Sequence, residues 1–224
     1  MQNNQNGRSM IEMLGVLAIV GVLSVGGLSG YTQAMNQYRI NKTLTQITEI
    51  SSRLTVIGDQ TSSYEGLSNV SAIKMGAVPN ELISGDNLIN IYGGSVTIQN
   101  SNLTATDTDM AYVIQYTNLP PAACMTLATQ DWQKGRNSNM IGIGIGSGAD
   151  KLSDISSSLF LNCEGKITNG EVVACPNGCR DSTGGVVSCT SSTATKPMMP
   201  LDPSLAVQGC SCSGNACAFA IKLF

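Results

Sequence analysis

Histidine is absent from the 224 residues. Ser-His-Asp and Cys-His nucleophilic catalysis are therefore excluded, and the commonest general base and metal ligand is missing. Charge is scarce as well: Asp, Glu, Lys and Arg make up 12% of the chain, about half the usual share. With a net charge of −3 and no basic cluster, nucleic acid is not an expected partner. Aromatic residues reach only 4%, so aliphatic side chains must supply the core. No proline occurs before Pro79. The sparse carboxylates offer one close pair, Asp107 and Asp109 in "TATDTDMAY", which reads as a solvated turn or a weak calcium site. No catalytic constellation emerges, and the expectation is a protein without enzymatic activity, cofactor or metal.

What is present begins with a long apolar run. Residues 13–28 carry no charge, and the apolar or small character extends over 10–31, with Glu12 as the lone acid before Arg39. Twenty helical residues span about 30 Å, one hydrocarbon core. A cleaved secretory signal is the rival, but no small-x-small site is followed by a break in the helical pattern. Past Tyr31, the residues Ile40, Leu44, Ile47, Ile50, Leu54 and Ile57 recur at steps of three and four, the stripe of an amphipathic helix. The spacing predicts one helix from about Ser9 to about Ile57, apolar all round in its first half and on one side in its second. Gly58-Asp59 is its expected stop.

Residues 60–224 read as a turn-rich α+β region. Residues 87–100, "NLINIYGGSVTIQN", suit a hairpin in which Ile89 and Ile91 alternate before Gly93-Gly94 and Val96 and Ile98 after it. Residues 110–120 suit a strand, and 121–132 a short helix opened by proline. "NMIGIGIGSG" (139–148) lacks the Lys and Ser/Thr of a phosphate loop and predicts a strand with Ile141, Ile143 and Ile145 towards the core. The stretch "TSSTATKPMMPLDPS" (190–204) reads as an exposed loop and "ACAFAIKLF" (216–224) as a closing strand. "NLT" at Asn102 matches a glycosylation acceptor. All eight cysteines, Cys124, Cys163, Cys175, Cys179, Cys189, Cys210, Cys212 and Cys217, fall in this half. Their even count points to disulfides formed in an oxidising compartment; a structural zinc site is the rival, with irregular spacing for it. Eight cysteines allow 105 pairings, so connectivity is open.

The N-terminal segment resembles that of type IV pilins and their pseudopilin relatives, over about residues 7–57. In that family a short polar leader ends in Gly, prepilin peptidase cuts after it, and Glu is the fifth residue of the mature chain. Gly7 followed by Arg8, Ser9, Met10, Ile11 and Glu12 fits that spacing without a gap. Gly21 and Tyr31 fall where the family often has Gly and Tyr. Arg8 stands where Phe or Met is usual at the methylated first position, and Ser29 where a proline is familiar. The cluster Gly21, Gly26, Gly27 and Gly30 stands instead, and implies a stretch that either loosens within a filament or forms a small-residue packing surface. The order of hairpin, strand and Cys-bearing helix is similar to type IVb pilin heads.

The resemblance implies four segments: a leader (1–7), a transmembrane and filament-core helix (8–31), an amphipathic half packing on the head (32–58), and a globular head (59–224). The fold class is α+β, a long helix packed on an antiparallel sheet with a disulfide-rich C-terminal region. Glu12 is implied to pair with the α-amine that cleavage creates on a neighbouring subunit, with Arg8 as a competing cation. Cys124 is implied to bond Cys210, Cys212 or Cys217, and Cys163, Cys175, Cys179 and Cys189 to close local loops. The implied function is a structural subunit of a surface filament, stored in the bacterial inner membrane with its head in the periplasm. Implied partners are further copies of the chain, prepilin peptidase, an inner-membrane assembly platform and membrane lipid. The alternatives are a minor pilin or pseudopilin of a secretion or DNA-uptake machine, or a membrane-anchored adhesin that does not polymerise.

Overall fold

The structure is a computed structural model. It describes residues 10–103, 106–132, 140–147, 149–150, 166–168, 171–175, 179–181, 186–187, 194–195, 199–214 and 216–224. Two compact units divide the chain, residues 1–41 and 42–224. Helix α1 (Met10–Thr61) contributes to both.

The second unit is built on an antiparallel sheet. Its strands are β1 (Ile83–Ser84), β2 (Asn87–Ile89), β3 (Ser95–Ser101), β4 (Ala111–Leu119), β5 (Met140–Gly146), β6 (Lys166–Thr168), β7 (Glu171–Ala174) and β11 (Cys217–Leu223). Their spatial order is β1-β2-β3-β4-β11-β5-β7-β6. A second sheet of β8 (Cys179–Asp181), β9 (Val186–Val187) and β10 (Ala194–Thr195) has the order β10-β8-β9. The short helices are α2 (Asn69–Lys74), α3 (Pro121–Thr129) and α4 (Pro203–Gly209).

Both faces of the large sheet are covered. Phe219, Ile221 and Leu223 of β11 join Tyr112, Ile114 and Tyr116 of β4 and Ile47, Ile50 and Leu54 of α1 in the main core. Each such aliphatic side chain contributes about 1.5–3 kcal/mol on burial. The alternate residues of β11 and β4, Ala220 and Val113, pack with Val173, Ala149 and Cys175 on the other face. Lys222, on the parity of Ala220, is buried, and desolvation pulls its ammonium down to about 7.

Four sequence expectations need correction. The helix does not stop at Gly58-Asp59 but runs to Thr61, and Ser62 ends it in the left-handed region (φ 54), its N–H donating to Gly58 O at 2.7 Å. Gly58 serves packing: a Cβ there would lie 2.1 Å from Tyr64 Oη. In the hairpin Leu88, not Ile89, points inward; Leu88 is 1% exposed and Ile89 43%. Asn90 sets that parity. Its side chain donates to Thr117 O at 2.8 Å and accepts from the N–H groups of Tyr92 and Gly94. Gly94 is required because a Cβ would sit 2.0 Å from Thr117 O.

In β5, Ile143 and Ile145 face the main core, but Ile141 packs on the opposite face. A register shift between Lys222↔Gly142 and Leu223↔Met140 inserts one residue into β5, which reverses its alternation. Finally, residues 190–204 are not simply an exposed loop. Ala194 and Thr195 form β10, Met199 and Leu201 are buried, and Asp202 caps α4 by accepting from Ser204 N at 2.8 Å. That hydrogen bond holds the Asp202 carboxyl below its ordinary value.

Candidate functional site

Within the first unit, every residue of α1 from 10 to 34 is exposed. The large side chains Met10, Ile11, Leu14, Leu17, Ile19, Leu23 and Leu28 face solvent on all sides. A continuous apolar surface of this kind marks a membrane or protein contact. The helix is long and apolar enough to cross a membrane. Two of its hydroxyls bond its own backbone: Ser24 Oγ donates to Val20 O at 2.8 Å and Thr32 Oγ1 to Ser29 O at 2.9 Å.

Glu12 lies in the first described turn of α1 and is exposed. Gly7 and Arg8 lie outside the described residues. The helix is unbroken through Gly21, Gly26, Gly27 and Gly30, and a Cβ at any of the four would meet nothing within 4 Å.

In the second unit, α1 is fastened by polar contacts that the sequence does not reveal. Glu81 receives Lys42 Nζ at 2.6 Å on one oxygen and Gln46 Nε2 at 2.8 Å on the other. These partners hold its carboxyl below the usual value, with the hydrogen bond from Lys42 the largest cause. Arg53 pairs with Glu49 and donates to Gly76 O at 2.8 Å. Tyr112 Oη donates to Ser51 O at 3.1 Å, and its ring lies 4.8 Å from that of Tyr64. Burial, with Asp59 nearby, pushes the Tyr64 hydroxyl up to about 12. Asn69 of α2 takes over the edge of β3 where β2 ends, donating to Val96 O and accepting from Ile98 N.

Four of the described cysteines come together at one corner of this unit. Cys124 in α3 bonds Cys210 at the end of α4 with an S–S distance of 2.02 Å, so Cys210 is the partner among the three implied. Cys212 bonds Cys217 at the start of β11. Cys175 is also disulfide-bonded, and no described cysteine is free. Sulfurs so engaged are not the thiolates that zinc requires. Cys163 and Cys189 lie outside the described residues, as does the side chain of Cys179. Asn102, in the glycosylation-like triplet, accepts from Asp109 N at 3.1 Å, and Asn100 donates to the Asp109 carboxylate. Among the described residues no group of three or more His, Cys, Asp or Glu could hold a metal ion.

The family model described as PilS N terminal matches residues 37–177, more than half of the chain. Over 156 residues the chain is 26% identical to the major structural subunit of bundle-forming pilus of Escherichia coli O127:H6 (strain E2348/69 / EPEC), covering 69% of this chain and 78% of that one. The corresponding subunit of Escherichia coli O111:H- is 26% identical over 145 residues, 64% of this chain and 72% of that one. Among solved structures, TcpA, a type IV pilin from Vibrio cholerae El Tor biotype, aligns with a TM-score of 0.48 and 14% identity, over 83% of this chain and 99% of that one. A type IV b pilin from Salmonella typhi aligns with a TM-score of 0.42 and 15% identity, over 79% and 96%. With the family model spanning the second part of α1 and most of the sheet, the chain belongs to the PilS N-terminal family: it is a type IV pilin, a structural protein rather than an enzyme.

Proposed function

We propose that this pilin is a filament subunit, cut after Gly7 by prepilin peptidase, held in the inner membrane by residues 8–31, and polymerised by packing that helix against copies of itself. The observation that carries the reading is the wholly exposed apolar start of α1 with one carboxylate, Glu12, inside it. A plain anchor would do better without that acid, since a charge at membrane depth costs a few kcal/mol. Assembly gives it a use. Cleavage creates an α-amine with a reference pKa near 8, and a neighbouring subunit can bring that amine to Glu12 in a dry helix bundle. Arg8 supplies a second cation and keeps the amino end cytoplasmic before assembly. The naming of both Escherichia coli relatives as major structural subunits supports a principal rather than an accessory role in the filament.

The glycines of residues 21–30 fit either role in the assembled state. A close helix crossing uses Gly26 and Gly30 on one face. A loosened stretch uses the lowered helix propensity of all four.

Mass spectrometry of sheared surface filaments tests the whole reading. The expected result is this chain, beginning at Arg8, as the dominant component. Finding it uncleaved and confined to the inner membrane would overturn the proposal. Glu12→Ala is expected to insert in the membrane normally yet drop out of filaments, and Gly7→Ala to accumulate as precursor.

A further inference from the structure

The two disulfides at the corner of α3, α4 and β11 differ in burial and in reach. Cys124 and Cys210 are both buried, and their bond joins positions 86 apart in sequence. Cys217 is equally buried, but its partner Cys212 is only half-buried and lies five positions away. Ser211, Ser213, Gly214 and Ala216 around it are exposed. Cys212 is therefore the one of these four cysteines that a reagent from solvent meets first. Access of this kind separates exchangeable disulfides from inert ones.

A second observation concerns the carbonyl of Cys210. Its oxygen lies 3.3 Å from Cys212 Sγ and 3.5 Å from Cys217 Sγ. Bonded sulfurs have no proton to donate, so this geometry becomes a hydrogen bond only when one of the two is a thiol.

We propose that the Cys212–Cys217 bond is a thiol-exchange site at which a small thiol of the glutathione class attaches to Cys212. The incoming thiolate attacks Cys212 Sγ. A bond forms between the incoming sulfur and Cys212, the Cys212–Cys217 bond breaks, and Cys217 leaves as a thiolate. The incoming sulfur is oxidised to a mixed disulfide and the Cys217 sulfur is reduced, so no outside oxidant is needed. Water then supplies a proton to Cys217, whose thiol donates to the Cys210 carbonyl already beside it. Attack in the opposite sense would require the reagent to reach a fully buried sulfur.

The head survives this opening. A disulfide closing a short loop constrains the unfolded chain less than one closing a long loop. The Cys124–Cys210 bond still ties α3 to α4, and β11 keeps its ladders to β4 and β5 on either side. Exchange thus tags Cys212 on the surface of a folded head.

The test is to incubate the full-length protein in detergent with graded reduced glutathione, alkylate with iodoacetamide, and map the cysteine peptides by mass spectrometry. The expected pattern is glutathione on Cys212 and alkyl on Cys217, at thiol concentrations at least about tenfold below those that open Cys124–Cys210. An adduct on Cys217, simultaneous opening of both bonds, or no adduct on Cys212 before Cys124–Cys210 opens would each overturn the proposal. Two variants give an independent reading under glutathione disulfide, with the intact Cys124–Cys210 peptide as the check on folding. Cys217→Ser is expected to take up glutathione at Cys212, and Cys212→Ser to leave Cys217 unmodified; equal uptake by both contradicts the assigned direction of attack.

Discussion

From residue 10 to residue 34, α1 exposes every side chain, whereas residues 42–61 of the same helix bury Ile47, Ile50 and Leu54 in the head. Both stretches are aliphatic. What separates them is how the apolar residues are distributed around the helix. A stripe commits one face to a particular partner, while an all-round coat accepts any apolar surroundings. Polar residues sharpen the contrast. Thr43, Gln46 and Ser51 are buried in the later stretch, where Gln46 donates to Glu81 and Tyr112 to the Ser51 carbonyl. In the earlier stretch Ser24 and Thr32 bond their own helix backbone, as Thr48 and Thr61 also do in the later one; what the later stretch adds is contact with the sheet and loops of the head. One part is built for a single fit, the other for a change of environment.

Substitutions can break this contrast, and the largest effect is expected in the striped part. Leu54→Ala removes a fully buried side chain and is expected to destabilise the head by about 2–5 kcal/mol. Leu17→Ala, at an exposed position of the coat, is expected to leave head unfolding unchanged. Trp132, the chain's single tryptophan, is buried 5.8 Å from the Phe219 ring and reports head unfolding by fluorescence in a denaturant titration. Equal shifts for the two variants would erase the distinction.

The glycines extend the comparison at smaller scale. Gly58→Ala is expected to cost about 1–3 kcal/mol, because its Cβ collides with the Tyr64 ring. Gly26→Ala meets open space and is expected to raise helix stability by about 1 kcal/mol, read by circular dichroism in detergent. A loss of helix there would refute the account.

These two glycines also show what was legible. Propensity marked Gly26 as a weak point of the helix and Gly58 as its stop, and a long helix with a one-sided stripe was readable from spacing alone. That Gly58 is a place of close approach depends on Tyr64 folding back beside it, and no local pattern records that contact. The same holds for β5. Its Ile-Gly alternation predicted a strand correctly, but the inserted residue that turns Ile141 away is fixed by its pairing with β11, far along the chain. The bonds of Asn69 and Asn90 to strand backbones are likewise long-range, and polar residues in turns advertise nothing of the kind. Met199 and Leu201 were hidden by their setting, a run of Ser, Thr and Pro that reads as surface. In the exposed coat, by contrast, Glu12 stands out in the sequence because an acid in an apolar run conflicts with its surroundings. Cysteine pairing was not legible from spacing, since it is a property of the finished fold.

The smallest expected effect concerns the fastening of the striped part. The folded-state pKa of Glu81 is depressed by Lys42 and Gln46, so its contribution is present above the ordinary carboxylate pKa and fades as pH falls through the depressed value. The group is partly exposed, and solvent and salt screen the pairing. The difference in head stability between the parent and Glu81→Gln is expected to shrink as pH falls from neutral to the acid limb and to shrink again with added salt. A difference that persists unchanged through the acid limb would assign the contact no electrostatic role.

The position of β11 bears on the order in which this molecule can be finished. β4 and β5 follow each other in sequence but do not pair; β11 lies between them and hydrogen-bonds to both. Until residues 217–223 have been made and delivered, the sheet exists as two separate pieces, β1–β4 and β5–β7, each with a bare apolar edge. A chain delivered amino end first therefore holds two sticky half-sheets through most of its delivery, and closes them with nearly its last described residues. The apolar start of α1, if seated in a membrane by then, would keep each unfinished copy tethered and apart from its neighbours during that interval.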